Sequence, residues 1–147
     1  MHDFPHHYAV TASMDPDAHV RLSSKGLDVL ESAAPSEFGG PGDKWSPETL
    51  LVAAVADCFA LSFRAIARAS RFDWRALECH VNGTLDKQDG STQFIAFTVR
   101  ATLTVAQGTD EARARKLLDK AEHSCLITNS LKAAATLDTT IRYSRLE

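Results

Sequence analysis

The stretch "SPETLLVAAVADCFALSFRAIA", residues 46–67, limits the fold more than any other part of the chain. From Leu50 to Phe63 only Asp57 and Ser62 are polar, so a helix here is apolar around nearly its whole circumference. Such a helix has to be buried on most sides. Its start is written locally: Ser46 can cap, Pro47 suits the first helical position, and Glu48 faces the positive end of the helix dipole. Arg64, Arg68 and Arg71 gather at the other end, where cations are favoured. The small residues of "VAAVA" allow a second helix to approach closely, which points to a two-fold homodimer with the helix paired against its copy. The alternative is a helix wrapped by its own sheet. Ten residues separate Glu48 from Cys58, about 15 Å along one helix and too far for contact. In an antiparallel pair crossing near Ala53, Glu48 of one subunit would lie level with Cys58 of the other.

Other elements follow from alternation and turn signals. Residues 7–13 form a weak strand, and "HVRLSS" and "LDVLES" around Lys25-Gly26 form a hairpin. "APSEFGGPGDKWSP" is a loop rich in glycine and proline. Beyond the long helix, "ALECHVNGTLDK" and "FIAFTVRATLTV" form an antiparallel hairpin turning at "KQDGST". Its inner face carries Leu77, Cys79, Val81 and Leu85 opposite Ile95, Phe97, Val99, Leu103 and Val105. A second helix runs from near Thr109 to about His123, "CLITNSLKAAA" adds a shorter helical piece, and "LDTTIRYSRL" closes as a strand. This order describes a single α+β domain over residues 1–147.

Composition narrows the function. With a net charge of −3 and its cations spread along the chain, the sequence lacks the basic face of a nucleic-acid binder. "MHDFPHHYAV" is not a secretion signal, and the longest apolar run, Leu50 to Ala56, falls short of the ~20 residues that span a bilayer, so a soluble, cytoplasmic protein is expected. Cys58, Cys79 and Cys125 are too few and too widely spaced for a disulfide scaffold or a zinc site, which leaves reactive or inert thiols. Taken alone, Cys58 reads as core, Cys79 as packing on a strand's inner face, and Cys125 as a helix-end residue. His2, His6 and His7 are read as a polar segment rather than a metal site, and no spacing supports a Cys–His pair using His80 or His123.

"SPETLLVAAVADCF", followed 67 residues after Cys58 by "CLITNSL", resembles the OsmC/Ohr family of osmotically inducible and organic hydroperoxide resistance proteins. The resemblance implies an OsmC/Ohr-like α+β fold, antiparallel sheets around a long central helix, in an intertwined homodimer. It implies a cofactor-free thiol peroxidase for organic hydroperoxides. Cys58 would attack the peroxide, and Cys125 would resolve the sulfenic acid into an intrasubunit disulfide. A dithiol such as dihydrolipoamide would reduce that disulfide. Glu48 would orient the cation that stabilises the thiolate. The chemistry suits the residues, because peroxide attack needs a thiolate and the oxidised sulfur must meet a second thiol before over-oxidation. Leu51, Val55, Phe59 and Phe63 would supply an apolar pocket.

Three departures from the family pattern keep a redox sensor or binding protein open as the alternative. The loop before the helix has no arginine. Arg21, the sole arginine before residue 64, is the candidate cation, a solvated strand position being the other reading. Asp57 precedes Cys58, where an anion would raise the thiol's pKa. "CLITNS" lacks the proline that follows the second cysteine in the family pattern.

Overall fold

In the computed structural model, which describes residues 1–145, the chain divides into two compact units, one ending at Leu51 and the other beginning at Val52. The N-terminal unit is a three-stranded antiparallel sheet of β1 (Thr11–Ser13), β2 (Val20–Ser23) and β3 (Leu30–Ser32), in that order. The expected hairpin turns at Gly26, whose φ of 79° suits a residue without a Cβ. In the loop that follows, a Cβ on Gly40 would lie 1.6 Å from the Ala34 carbonyl oxygen, so the chain can fold back there only at glycine. Trp45 then bridges to Ser32 and hands the chain to the long helix.

Helix α1 (Pro47–Ala69) crosses from one unit to the other. Its start is the expected cap made reciprocal: the Thr49 amide donates to the Ser46 hydroxyl at 3.1 Å, and the Ser46 amide donates to the Thr49 hydroxyl at 2.8 Å. Only Val55, Phe59, Phe63 and Ala67 are buried, one residue per turn along a single stripe. The uninterrupted apolar run is short, yet the helix, whose most apolar 18-residue window has mean hydropathy 1.9, is long and apolar enough by length and composition to cross a membrane. Its buried stripe lies on a sheet, as in the core helix of a globular fold. The helix ends where Arg71 adopts φ 52° and the Phe72 amide reaches back to the Ala67 carbonyl, a C-terminal motif that glycine usually serves.

The second sheet has the order β4 (Ala76–Gln88), β5 (Ser91–Val105), β6 (Ala134–Tyr143). β4 and β5 pair antiparallel as expected, whereas β6 joins β5 in parallel. The antiparallel rule breaks there because α2 (Glu111–His123) and α3 (Leu126–Asn129) return the chain to the far end of β5. Three further differences have local causes. The register shifts between Thr84 and Leu85, so Leu85 pairs with Phe94 and the expected inward residue Ile95 is turned to solvent. Helix α3 is only four residues long. Ala134 and Ala135, expected at the end of the shorter helical piece, instead pair with Ala96 and Phe97 as the start of β6. Of the expected final strand, Leu146 lies outside the described residues.

Phe97, Val99, Ala101, Leu103 and Val105 of β5 and Ala114, Leu117, Leu118 and Ala121 of α2 complete the core with the α1 stripe. Asp110 caps α2 by accepting from the amides of Ala112 and Arg113, and Arg115 ties the helix to Thr139 of β6. The α1–β4 approach is tightest at Gly83, where a Cβ would lie 2.8 Å from Val52 and about as close to the Phe94 and Phe97 rings. Gly83→Ala therefore overpacks this seam, and its cost of about 1–3 kcal/mol exceeds the gain in strand propensity. Urea denaturation checks this, the expected result being a lower midpoint with an unchanged slope.

Candidate functional site

Cys58 sits on α1 beside the buried stripe and is partly exposed, so its sulfur lies at the margin of the core. One turn on, the Ser62 hydroxyl stands 3.9 Å from it. Cys125 follows α2 in extended conformation (φ −66°, ψ 102°) and caps α3, with 1% of its surface exposed. At a helix start the first amides have no intrahelical acceptor. The Cys58 sulfur lies near this helix start, close enough for the Leu126 and Ile127 amides and the Cys125 thiol to favour its thiolate.

These contacts decide the protonation order. Burial pushes the Cys58 thiol up, but the Ile127 amide, the Cys125 thiol, the Ser62 hydroxyl and the Leu126 amide together outweigh it, leaving Cys58 below the ordinary thiol value. Cys125 moves the other way. Burial raises it, and the Thr128 hydroxyl, donating to the Cys125 sulfur at 3.2 Å, and the Thr128 amide only partly offset burial and the effect of Cys58. Burial, and then the charge of Cys125, pushes Cys79 up to about 11. All three cysteines are unpaired thiols. Of the two, Cys58 is the one more readily ionised. A nucleophilic sulfur thus lies against a protonated second thiol, the arrangement that attack and resolution require.

Cys58 and Cys125 are brought together, 67 residues apart in sequence. Glu48 and Arg21 belong to the N-terminal unit. Glu48 lies in the first turn of α1, and its Oε1 is buried with no hydrogen-bond partner among the described residues. Arg21 is an exposed residue of β2 paired across the sheet with Glu31. Among the described residues, the groups that lower or raise the Cys58 thiol include no cation. The anion feared at Asp57 is absent from them too, since consecutive helical residues point about 100° apart and Asp57 is exposed. The apolar pocket expected from Val55, Phe59 and Phe63 needs correction, because these side chains are at most 1% exposed and filled by the core. The apolar groups open to a ligand beside Cys58 are Leu61, one turn on, and Leu126, respectively 48% and 65% exposed.

Ser62, noted in sequence only as a polar break in the helix, and Thr128 were not read as site residues although their spacing, i+4 from Cys58 and i+3 from Cys125, places each beside its sulfur. The missing proline has a direct consequence. Leu126 keeps the N–H that a proline would lack, and that N–H is one of the donors to Cys58.

Residues 40–140 match the family model described as OsmC-like protein. The chain belongs to the OsmC-like family. It is 25% identical over 136 residues to the uncharacterized protein YmaD of Bacillus subtilis, covering 90% of this chain and 91% of that one. Among solved structures, an OsmC-like protein of unknown function from Vibrio cholerae superimposes with a TM-score of 0.83 at 18% identity, covering 92% of this chain and 99% of that one. An organic hydroperoxide resistance protein OsmC from Legionella pneumophila gives 0.74 at 21% identity, over 95% and 99%. At these identities the structural likeness is one of fold.

Leu126→Pro isolates the amide contribution, because proline is well suited to a first helical position and loses only the N–H. The variant should shift thiolate formation at Cys58 to higher pH. Near neutral pH its alkylation should slow about fivefold, the effect of one hydrogen bond of ~1 kcal/mol. Thiolate ultraviolet absorbance against pH, together with iodoacetamide kinetics, provides the check.

Proposed function

We propose that this chain is a cysteine-based peroxidase that reduces organic hydroperoxides to alcohols. The observation that carries the reading is the nearness of Cys125 to a Cys58 sulfur held below the ordinary thiol pKa, across 67 residues of sequence. The Cys58 thiolate attacks the terminal peroxide oxygen, the O–O bond breaks, and the alkoxide takes a proton and leaves as alcohol. Cys58 is then a sulfenic acid. The Cys125 sulfur attacks it, water leaves with the hydroxyl, and a Cys58–Cys125 disulfide remains. A dithiol such as dihydrolipoamide restores both thiols by exchange. The apolar surface of Leu61 and Leu126 favours an organic hydroperoxide over hydrogen peroxide, and the Legionella relative is named for resistance to such compounds. A cytoplasmic setting, where thiols stay reduced, suits a cycle that starts from free cysteines.

The active form proposed is an intertwined homodimer. Only 22% of the most apolar window of α1 is buried, and the buried residues of the N-terminal unit are Ser32 and Ser46, neither of them apolar. Three short strands with no buried apolar face do not hold together unaided in water. A second copy supplies the missing cover, and the unpartnered Glu48 Oε1 is the group to orient a cation, with Arg21 as the candidate.

A redox sensor with little turnover is the second reading, favoured by the absence, among the described residues, of a cation acting on Cys58. Stopped-flow oxidation by cumene hydroperoxide and by hydrogen peroxide separates the two. Wild type should consume cumene hydroperoxide at least tenfold faster than hydrogen peroxide, and Cys58→Ser should abolish the fast phase. Thiol consumption no faster than that of free cysteine, with either peroxide, sinks the enzyme reading.

For the assembly, Ala53→Arg should convert a dimer to a monomer in analytical ultracentrifugation and remove peroxide turnover with it. A variant that stays dimeric contradicts the helix pairing.

A further inference from the structure

The second thiol of the proposed cycle carries a donor of its own. Cys125 is the N-cap of α3, and Thr128 is the third residue of that helix. At this spacing the side chain of the third helical residue can reach back to the cap. Here the reach ends on sulfur: the Thr128 hydroxyl donates to the Cys125 Sγ at 3.2 Å. A helical threonine more commonly turns its hydroxyl to a carbonyl three or four residues back. The Cys125 carbonyl instead accepts from the Asn129 amide at 3.0 Å, which leaves the hydroxyl to the sulfur. The turn that carries Thr128 is fixed by side chains as well. Ser130 donates to the Leu126 carbonyl at 2.7 Å, and the Asn129 side-chain amide donates to the His123 carbonyl at 3.1 Å, tying α3 to the last residue of α2.

A thiol sulfur is a weak acceptor and a thiolate a strong one, so a hydroxyl aimed at sulfur favours the ionised form. Resolution is the step that needs this. While Cys58 is a thiolate, its charge adds to burial in keeping Cys125 protonated. Attack on a peroxide turns Cys58 into a neutral sulfenic acid, and that charge is gone. Burial still favours the thiol, because Cys125 is 1% exposed. The Thr128 hydroxyl acts against it.

We infer that Thr128 is a positioning residue for resolution, its hydroxyl holding the Cys125 sulfur and stabilising it as the thiolate that attacks oxidised Cys58. In that step Cys125 gives up its proton and the Cys58–Cys125 S–S bond forms. The S–O bond of the sulfenic acid breaks, and hydroxide takes the proton and leaves as water. The sulfenic acid comes from the organic hydroperoxide of the proposed cycle, and to that extent the inference rests on the peroxidase reading. The speed of this step decides how long the sulfenic acid is open to a second peroxide, which would carry it to sulfinic acid.

Dithiobis(nitrobenzoate), an aromatic disulfide, tests the step without a peroxide. The Cys58 thiolate releases one thionitrobenzoate and keeps the other as a mixed disulfide, and Cys125 then displaces the second. With the reagent limiting, stopped-flow absorbance should show two phases in wild type and only the first in Cys125→Ser. Thr128→Val keeps the branched side chain and removes the hydroxyl. It should slow the second phase about fivefold, the effect of one hydrogen bond, and leave the first unchanged. Thr128→Ser should restore the second phase. The first phase reports on structure, because the amides of α3 act on Cys58 and a displaced α3 would slow it. A second phase that keeps its rate in Thr128→Val, that slows together with the first, that Thr128→Ser fails to recover, or that survives in Cys125→Ser overturns the inference. If both phases behave as expected while cumene hydroperoxide oxidises no thiol, the role of Thr128 stands and the peroxidase reading alone fails.

Discussion

The polar groups gathered around the Cys58 sulfur are the constraint on which the chemistry of this fold depends. They come from a four-residue helical turn far away in sequence and from Ser62 on the same helix, and all its donors are neutral. Burial alone would favour the thiol, so the thiolate exists only while α3 holds its first amides at the right place. Position is set in turn by two rigid supports. The α1 stripe fixes one sulfur against the sheet, and α2, capped by Asp110 and tied to β6 through Arg115, delivers Cys125 at its end. Packing of the second unit and reactivity of the thiol are therefore one problem, since a shift of either helix moves the same polar groups.

Neutral donors also change what the departures from the family pattern mean. A guanidinium stabilises a thiolate by charge at some distance, whereas an amide must be in contact. The family pattern has a proline after the second cysteine, and a proline has no N–H to give. With leucine at 126, this chain gains a donor at the sulfur while its loop before α1 lacks the arginine. The two departures compensate in direction, one removing a charge and the other adding a hydrogen bond. Asp57, the third, is harmless for a geometric reason, since its carboxylate leaves the helix on another face.

Much of this was legible in the sequence where local chemistry decides the outcome. The start of α1 follows from Ser46, Pro47 and Glu48, and the β4–β5 hairpin follows from alternation around "KQDGST". The pairing of Cys58 with Cys125 was legible only through resemblance, because nothing local links residues 67 positions apart. What escaped was tertiary. A one-residue bulge turned Ile95 outward, and no alternation pattern marks where a bulge falls. Ala134 and Ala135 have weak strand preference and are held by β5, a partner that propensity cannot see.

The three sulfurs form a graded series, and burial with hydrogen bonding accounts for the grading. Cys58 is partly exposed and rich in donors, Cys125 is buried with Thr128 as its main donor, and Cys79 is desolvated with no donor to offset the loss. Reactivity toward an electrophile favours Cys58 over the other two, because it follows the thiolate fraction at a given pH. An oxidant arriving from solvent therefore meets Cys58 first and the protonated thiols only through it.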